Sequence, residues 1–185
     1  MELSQFAAMP QTQDENGFSE DLRLIRIERA SIERADEAYG IVQEYYDAVG
    51  VVVREDADEF EREYFGTGGG IWLACEDNAV VGCIALRPLP QIEHSGEVKR
   101  LYVKPESRGR EIADGLLKAL ERYAVEAGYS ALYLDTKDDL VAAIRFYHRH
   151  GYEDCERYNE NPQATIFMKK GLAVQANSPS APQPR

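Results

Sequence analysis

The sequence lacks an apolar run long enough to cross a membrane, and its amino terminus lacks the basic, apolar and small-residue pattern of a secretory leader. Cysteine is scarce. Cys75, Cys83 and Cys155 are odd in number and have no metal-ligand spacing, which argues against a disulfide framework and a zinc cluster. The three histidines, His94, His148 and His150, have no regular spacing that would suit a metal. Basic residues are few: 21 Lys and Arg stand against 33 Asp and Glu, a formal net charge of -12. A chain this acidic is poorly suited to non-specific nucleic-acid binding, which depends on neutralising phosphates. Walker and dinucleotide fingerprints are missing, as is any internal repeat. The expectation is a cytoplasmic protein in a reducing compartment, with no metal and no membrane or nucleic-acid partner.

The 185 residues are 44% apolar and 29% charged, which suits one globular domain with a real core. Residues 1–20 are polar and aperiodic, and residues 173–185 are rich in Pro, Ser, Gln and Ala. Such segments bury too little apolar surface to offset the entropy of ordering, so they are expected to be disordered tails around a domain at 21–172.

Within the domain, Leu22 to Ile27 reads as a strand, and Ser31 is placed to cap a helix reaching Ala48. A second helix is expected between Asp56 and Tyr64. A loop at Gly68–Gly70 follows. Ile71 to Cys75 and Ala79 to Leu86 form a hairpin about Glu76-Asp77-Asn78, with Cys75 and Cys83 as buried thiols. Glu97 to Lys104 is the next strand. A helix from about Arg110 to before Gly128 carries Ala113, Leu116, Leu117, Leu120 and Ala124 on one face. Ala131 to Leu134 is a strand, and Asp138 or Asp139 would cap a helix running to His150. Tyr152 to Tyr158 and Ala164 to Lys169 read as closing strands. This order predicts an α/β fold of α+β type, a mixed sheet with helices on both faces.

The stretch from Glu97 to Leu120, EVKRLYVKPESRGREIADGLLKAL, carries the most chemistry. Strand, basic glycine-containing turn and amphipathic helix is an arrangement that offers free backbone N–H groups to a phosphate. Lys99, Arg100, Lys104, Arg108 and Arg110 make a local positive patch on an acidic chain, suited to an anionic ligand.

That stretch resembles the acetyl-CoA pyrophosphate-binding motif of the GCN5-related N-acetyltransferase (GNAT) superfamily. AAIRFYHRHGY resembles the superfamily's second motif, and NENPQATIFMKK its last strand pair, so the resemblance covers roughly Leu22 to Leu172. It implies a central mixed, mostly antiparallel sheet and transfer of the acetyl group of acetyl-CoA to a primary amine of a small molecule, amino acid derivative or protein, by direct attack in a ternary complex. A non-catalytic coenzyme A-binding or regulatory module with the same fold is the alternative, and a homodimer is compatible with the family.

Carried over residue by residue, the resemblance assigns the pantetheine arm to backbone groups of Leu101, Tyr102 and Val103. It assigns the pyrophosphate to the loop Arg108, Gly109, Arg110, Glu111, Ile112 and Ala113. The chain departs from the family pattern at Glu111, where glycine is usual, and at Leu140, where asparagine is frequent. Glu97 matches a general-base glutamate; the competing reading is a strand glutamate paired with Lys99 or Arg100, and Glu93 and His94 are weaker candidates for the base. Tyr147 matches the tyrosine that serves the coenzyme A sulfur, although aromatic residues at helical spacing also simply pack. Tyr39, Tyr46, Tyr133, Asp135, Tyr158 and Asn159 are candidates to line the acceptor side, where their acidic and aromatic character would suit a cationic amine, or they are core residues. His148 and His150 read as surface residues.

Overall fold

A computed structural model describes residues 24–52 and 54–173. The expected tail at 1–20, all but the first residue of the expected tail at 173–185, and the start of the first expected strand lie outside these residues. The described residues form strands β1 (Ile25–Arg29), β2 (Gly70–Glu76), β3 (Ala79–Pro88), β4 (Ser95–Val103), β5 (Ala131–Thr136), β6 (Glu153–Asp154) and β7 (Ile166–Gly171). Helices α1 (Ala35–Val49), α2 (Ala57–Tyr64), α3 (Ile112–Glu126) and α4 (Val141–Arg149) complete the domain. The strands make one sheet in the order β1-β2-β3-β4-β5-β7-β6, with only β4 and β5 parallel. None of the helices is long and apolar enough to cross a membrane.

Local sequence accounts for most of these elements. Asp77 and Asn78 take the left-handed conformation that a two-residue hairpin turn needs, and they pair β2 with β3 from Glu76 and Ala79 onward. Asp56 caps α2 by accepting a hydrogen bond from the Glu59 N–H at 2.9 Å. Leu116, Leu117, Leu120 and Ala124 of α3 are buried together against β2, β3 and β4.

Three expectations need correction. Ser31 opens a single turn of 3-10 helix at Ile32–Arg34 without a side-chain cap, so α1 begins later. Neither Asp138 nor Asp139 caps α4; Leu140 occupies that position, and the Asp138 N–H donates to Thr165 Oγ1 at 2.9 Å. The strand expected at Tyr152–Tyr158 shrinks to the two residues of β6. Beyond it, Arg157 donates to the carbonyls of Asn159, Asn161 and Ala164 and folds the segment into a loop.

The sheet divides the core. Strand residues of one parity, including Val98, Leu132 and Leu134, pack with α3 and with Phe146 and Tyr147 of α4. Those of the other parity, including Leu73 and Cys83, pack with α1 and α2, as does Tyr102, which a register shift in β4 turns to the opposite face from Val98. Gly82 of β3 is tightly enclosed: a Cβ there would sit 2.8 Å from the Tyr102 carbonyl oxygen and 3.4 Å from Val103 Cγ2. Gly82→Ala is expected to destabilise the fold by about 1–3 kcal/mol, measured as a lower denaturant midpoint at unchanged slope.

Candidate active site

The two parallel strands stay together only briefly. Ser95, Gly96 and Glu97 of β4 pair with Ala131, Leu132 and Tyr133 of β5, and beyond these residues the strands part. A bulge on the other side of β4 assists the separation. Cys83 is opposite Tyr102 and Ala85 is opposite Lys99, so Arg100 and Leu101 together face Ile84. Arg100 takes φ +58°, the left-handed conformation associated with such a kink.

The peptide groups beyond the bulge have lost a strand partner. The Lys104 N–H donates to Val81 O on β3. Strand alternation then turns the peptide groups of Leu101 and Val103 the other way, into the gap, and those of Tyr102 toward β3. Arg108 Nε donates to Val103 O at 3.0 Å from the turn beyond. Helix α3 begins beside the same gap. Its first intrahelical bond runs from the Gly115 N–H to Glu111 O, which leaves the amides of Ile112, Ala113 and Asp114 without helical acceptors. Gly109 has φ +78° and open space on its Cβ side. Arg110 is engaged with Glu76 at 2.7 Å. Glu111 is exposed, with φ +55°.

A cavity of about 940 Å³ runs through the gap. On the α3–α4 face its wall includes Leu101, Val103, Ala113, Leu140 and Tyr147. On the α1–α2 face it includes Arg87, Lys99, Arg100, Asp135 and Asn159. Tyr147 is only 6% exposed, and burial pushes its phenol up, so the hydroxyl keeps its proton. No other described residue hydrogen-bonds that hydroxyl. The apolar Leu140, with no amide to offer, caps nothing at the start of α4.

A polar network closes the parting strands on the α1–α2 face. Glu97 is completely buried. One oxygen accepts from Tyr158 Oη and Asn159 Nδ2, each at 2.9 Å, and the other from Arg87 Nε at 2.7 Å. Arg87 also reaches Glu63 of α2 at 2.7 Å. Asp135 accepts from Lys99 Nζ at 2.9 Å, Asn159 Nδ2 at 2.7 Å and Asn161 Nδ2 at 3.1 Å. Burial works to raise its pKa, but the Lys99 charge and these hydrogen bonds hold it below the ordinary aspartate range. Glu55 behaves alike: burial opposes ionisation, and Arg100 with the Tyr64 hydroxyl outweighs it. Burial, reinforced by the Glu97 charge, pushes the Tyr158 phenol up and keeps it a donor.

The structure therefore gathers Glu97, Tyr147, Asp135, Tyr158, Asn159 and the loop at Arg108–Ala113 about one gap, but in unequal positions. Glu97 is enclosed behind the cavity wall. Tyr133 packs edge-on to Tyr158 with ring centroids 5.1 Å apart. Tyr39 lies away from the wall, its hydroxyl donating to Glu55 O at 3.2 Å. Tyr46 is buried beneath the Arg100 guanidinium, 4.8 Å from the ring centroid. His148 is exposed, whereas the half-buried His150 lies 3.0 Å from Asp114 and 2.8 Å from Phe146 O. Sequence reasoning did not single out Arg87, Glu55 or Asn161. A lone arginine ending the apolar run of β3 was the available signal for the first. Among the described residues no group of His, Cys, Asp and Glu could hold a metal ion.

The model of the Acetyltransferase (GNAT) family matches residues 33–152. The chain belongs to the GNAT family. An uncharacterized N-acetyltransferase of Schizosaccharomyces pombe is 35% identical over 136 residues, covering 70% of this chain and 83% of the relative. N-acetyltransferase 8F1 of Rattus norvegicus is 27% identical over 60% of this chain, which spans 52% of that longer protein. A GNAT acetyltransferase structure from Staphylococcus aureus shares the fold at a TM-score of 0.71 and 21% identity, covering 81% of this chain and all of the other. The chain is thus an acetyltransferase that uses acetyl-CoA, and its sheet is the one the sequence resemblance implied.

Two expected outcomes follow from the geometry. At Glu111 the left-handed conformation costs a side-chain-bearing residue about 1–2 kcal/mol, while glycine loses roughly 0.5–1 kcal/mol in added unfolded-state freedom. Glu111→Gly should thus raise stability by up to about 1.5 kcal/mol, read from urea unfolding. The second outcome concerns pH. The folded-state pKa of Asp135 is depressed, so its stabilisation is fully present above the unfolded aspartate value near pH 4 and is lost as pH falls through the folded value. Asp135→Asn should flatten the rise of stability with pH below about pH 4, measured as urea midpoint against pH.

Proposed function

We propose that this GNAT domain acetylates a primary amine in a ternary complex, with acetyl-CoA entering from the α3–α4 face and the acceptor from the α1–α2 face. The observation that carries this reading is the single cavity through the sheet, lined from both faces at the point where β4 and β5 separate.

The donor set fits the cosubstrate. The N-terminal amides of α3 and the charge of Arg108 suit a pyrophosphate, and the Leu101 and Val103 peptide groups suit an amide-bearing arm. Glu111 is compatible with this role because its exposed carboxylate belongs to solvent. When bound, acetyl-CoA supplies an acyl group on a good leaving thiolate.

The remaining chemistry belongs to the chain and the amine. An ammonium group cannot attack, so the acceptor first gives one proton to water. The amine nitrogen then forms its bond to the acetyl carbon. The carbonyl is polarised by a β4 peptide N–H facing the gap. As the carbon–sulfur bond breaks, its electron pair goes to sulfur. Tyr147 Oη donates the proton that sulfur takes up. The second amine proton passes to solvent, from which the phenol regains its own.

We assign Glu97 a positioning role. Its oxygens are already occupied by Arg87, Tyr158 and Asn159, and it has no exposed surface to meet an amine. It orders the charged wall that the acceptor faces, and water serves as the proton acceptor.

Tyr147→Phe is expected to lower kcat about tenfold or more with a smaller change in the KM for acetyl-CoA, measured by thiol release. Calorimetry with acetyl-CoA tests the reading as a whole; no binding at millimolar ligand would overturn it.

A further inference from the structure

The charges on the acceptor side of the cavity are not distributed as the composition suggests. The protein carries a net charge of -12. Yet Arg87, Lys99, Arg100 and Lys137 all stand on the cavity wall, while Glu55, Glu63 and Glu97, which pair with three of them, do not. The guanidinium groups are thus interposed between their carboxylates and the cavity. Three acidic residues also line the cavity: Asp135, whose oxygens are occupied by Lys99, Asn159 and Asn161, and the solvent-exposed Asp139 and Glu160.

Arg100 has capacity left over. Glu55 engages only Nη2, with both oxygens, and Nη1 has no hydrogen-bond acceptor among the described residues, whereas Nε is enclosed within the protein. The bulge at φ +58° carries this side chain beside the point where the strands part. On the facing loop Asn159 donates to Glu97 and Asp135 and Asn161 donates to Asp135, so protein donors already occupy these carboxylates. A wall of this kind repels a polyamine and attracts a carboxylate. The outer part of the same wall is apolar, with Ala48, Val49, Val51 and Pro162.

We propose that the acceptor is an amine that also bears a carboxylate and an apolar side chain, the chemistry of an amino acid, with the carboxylate held on the Arg100 side of the cavity. This replaces the cationic amine expected from the acidic and aromatic residues of the sequence. It rests on the acetyltransferase reading above and narrows the substrate class of that site.

The test offers the full-length protein acetyl-CoA with L-phenylalanine, phenethylamine or spermidine, and reads thiol release. Phenylalanine and phenethylamine differ only in the carboxylate. The expected result is a kcat/KM for phenylalanine about tenfold or more above that for phenethylamine, the usual scale of a charge-assisted hydrogen bond, with spermidine the poorest. Equal or better use of either amine lacking a carboxylate overturns the proposal and leaves the acetyltransferase reading intact.

If none of the three reacts, calorimetry with N-acetyl-L-phenylalanine and N-acetylphenethylamine decides the same point. Tighter binding of the acid supports the proposal; equal or absent binding of the two overturns it. Failure of acetyl-CoA itself to bind is a separate observation, directed at the enzyme reading. The paired variant Glu55→Gln/Arg100→Gln removes a buried ion pair without orphaning one charge. It should raise the KM for phenylalanine about tenfold, by more than it changes the KM for phenethylamine. An unchanged phenylalanine KM in a folded paired variant would remove Arg100 from the role.

Discussion

The separation of β4 from β5 after three paired residues governs the rest of the molecule. A parallel pair that continued would satisfy its own amides and leave no opening. Here the pairing stops, the Leu101 and Val103 peptide groups lose their neighbour, and the space between the strands becomes a passage connecting both faces of the sheet. Such a break needs compensation, because unpaired backbone groups in a core are costly. The bulge at Arg100 supplies part of it by bending β4 toward β3. The bonds from Glu97 to Arg87, Tyr158 and Asn159 supply another part by fixing the strands at the last point where they touch. The residues at the fork thus serve the fold as well as shaping the cavity proposed as the active site.

The two faces contribute different physics. On the α3–α4 face the site is mostly backbone: helix-terminal amides and strand peptide groups, which require little of the side chains beyond shape. On the α1–α2 face it is mostly side chain: alternating cations and carboxylates held at low exposure by mutual pairing. A backbone site tolerates sequence change, which explains how Glu111 and Leu140 stand where the family pattern favours other residues. A side-chain wall depends on residue identity, so under the proposed reading it is this face that sets acceptor preference.

The same division explains what could be read from the sequence. The hairpin at Asp77-Asn78, the capped helix after Asp56 and the apolar stripe of α3 are local features, written in turn residues, a cap and a 3.6-residue period. The loop Arg108–Ala113 and Tyr147 were legible through motifs carried by contiguous residues. The burial of Glu97 was not, because it depends on Tyr158 and Asn159, which lie 61 and 62 residues further along the chain. The bulge at Arg100 was hidden for a similar reason: nothing in KRLYV distinguishes a kinked strand from a straight one. The Tyr152–Tyr158 segment has strand-like composition, but the hydrogen bonds of Arg157 to three carbonyls draw it into a loop instead.

The sheet's outer margins deserve a last consideration. Strand β6 is two residues long and both are acidic, while β1 at the opposite margin carries Arg26 and Glu28 linked at 3.0 Å. A long, smooth, apolar margin would be a template on which unrelated chains could add strands. A two-residue acidic stub and a margin studded with opposite charges offer little purchase for that, so a seven-stranded sheet can coexist with high protein concentration without growing into fibrils.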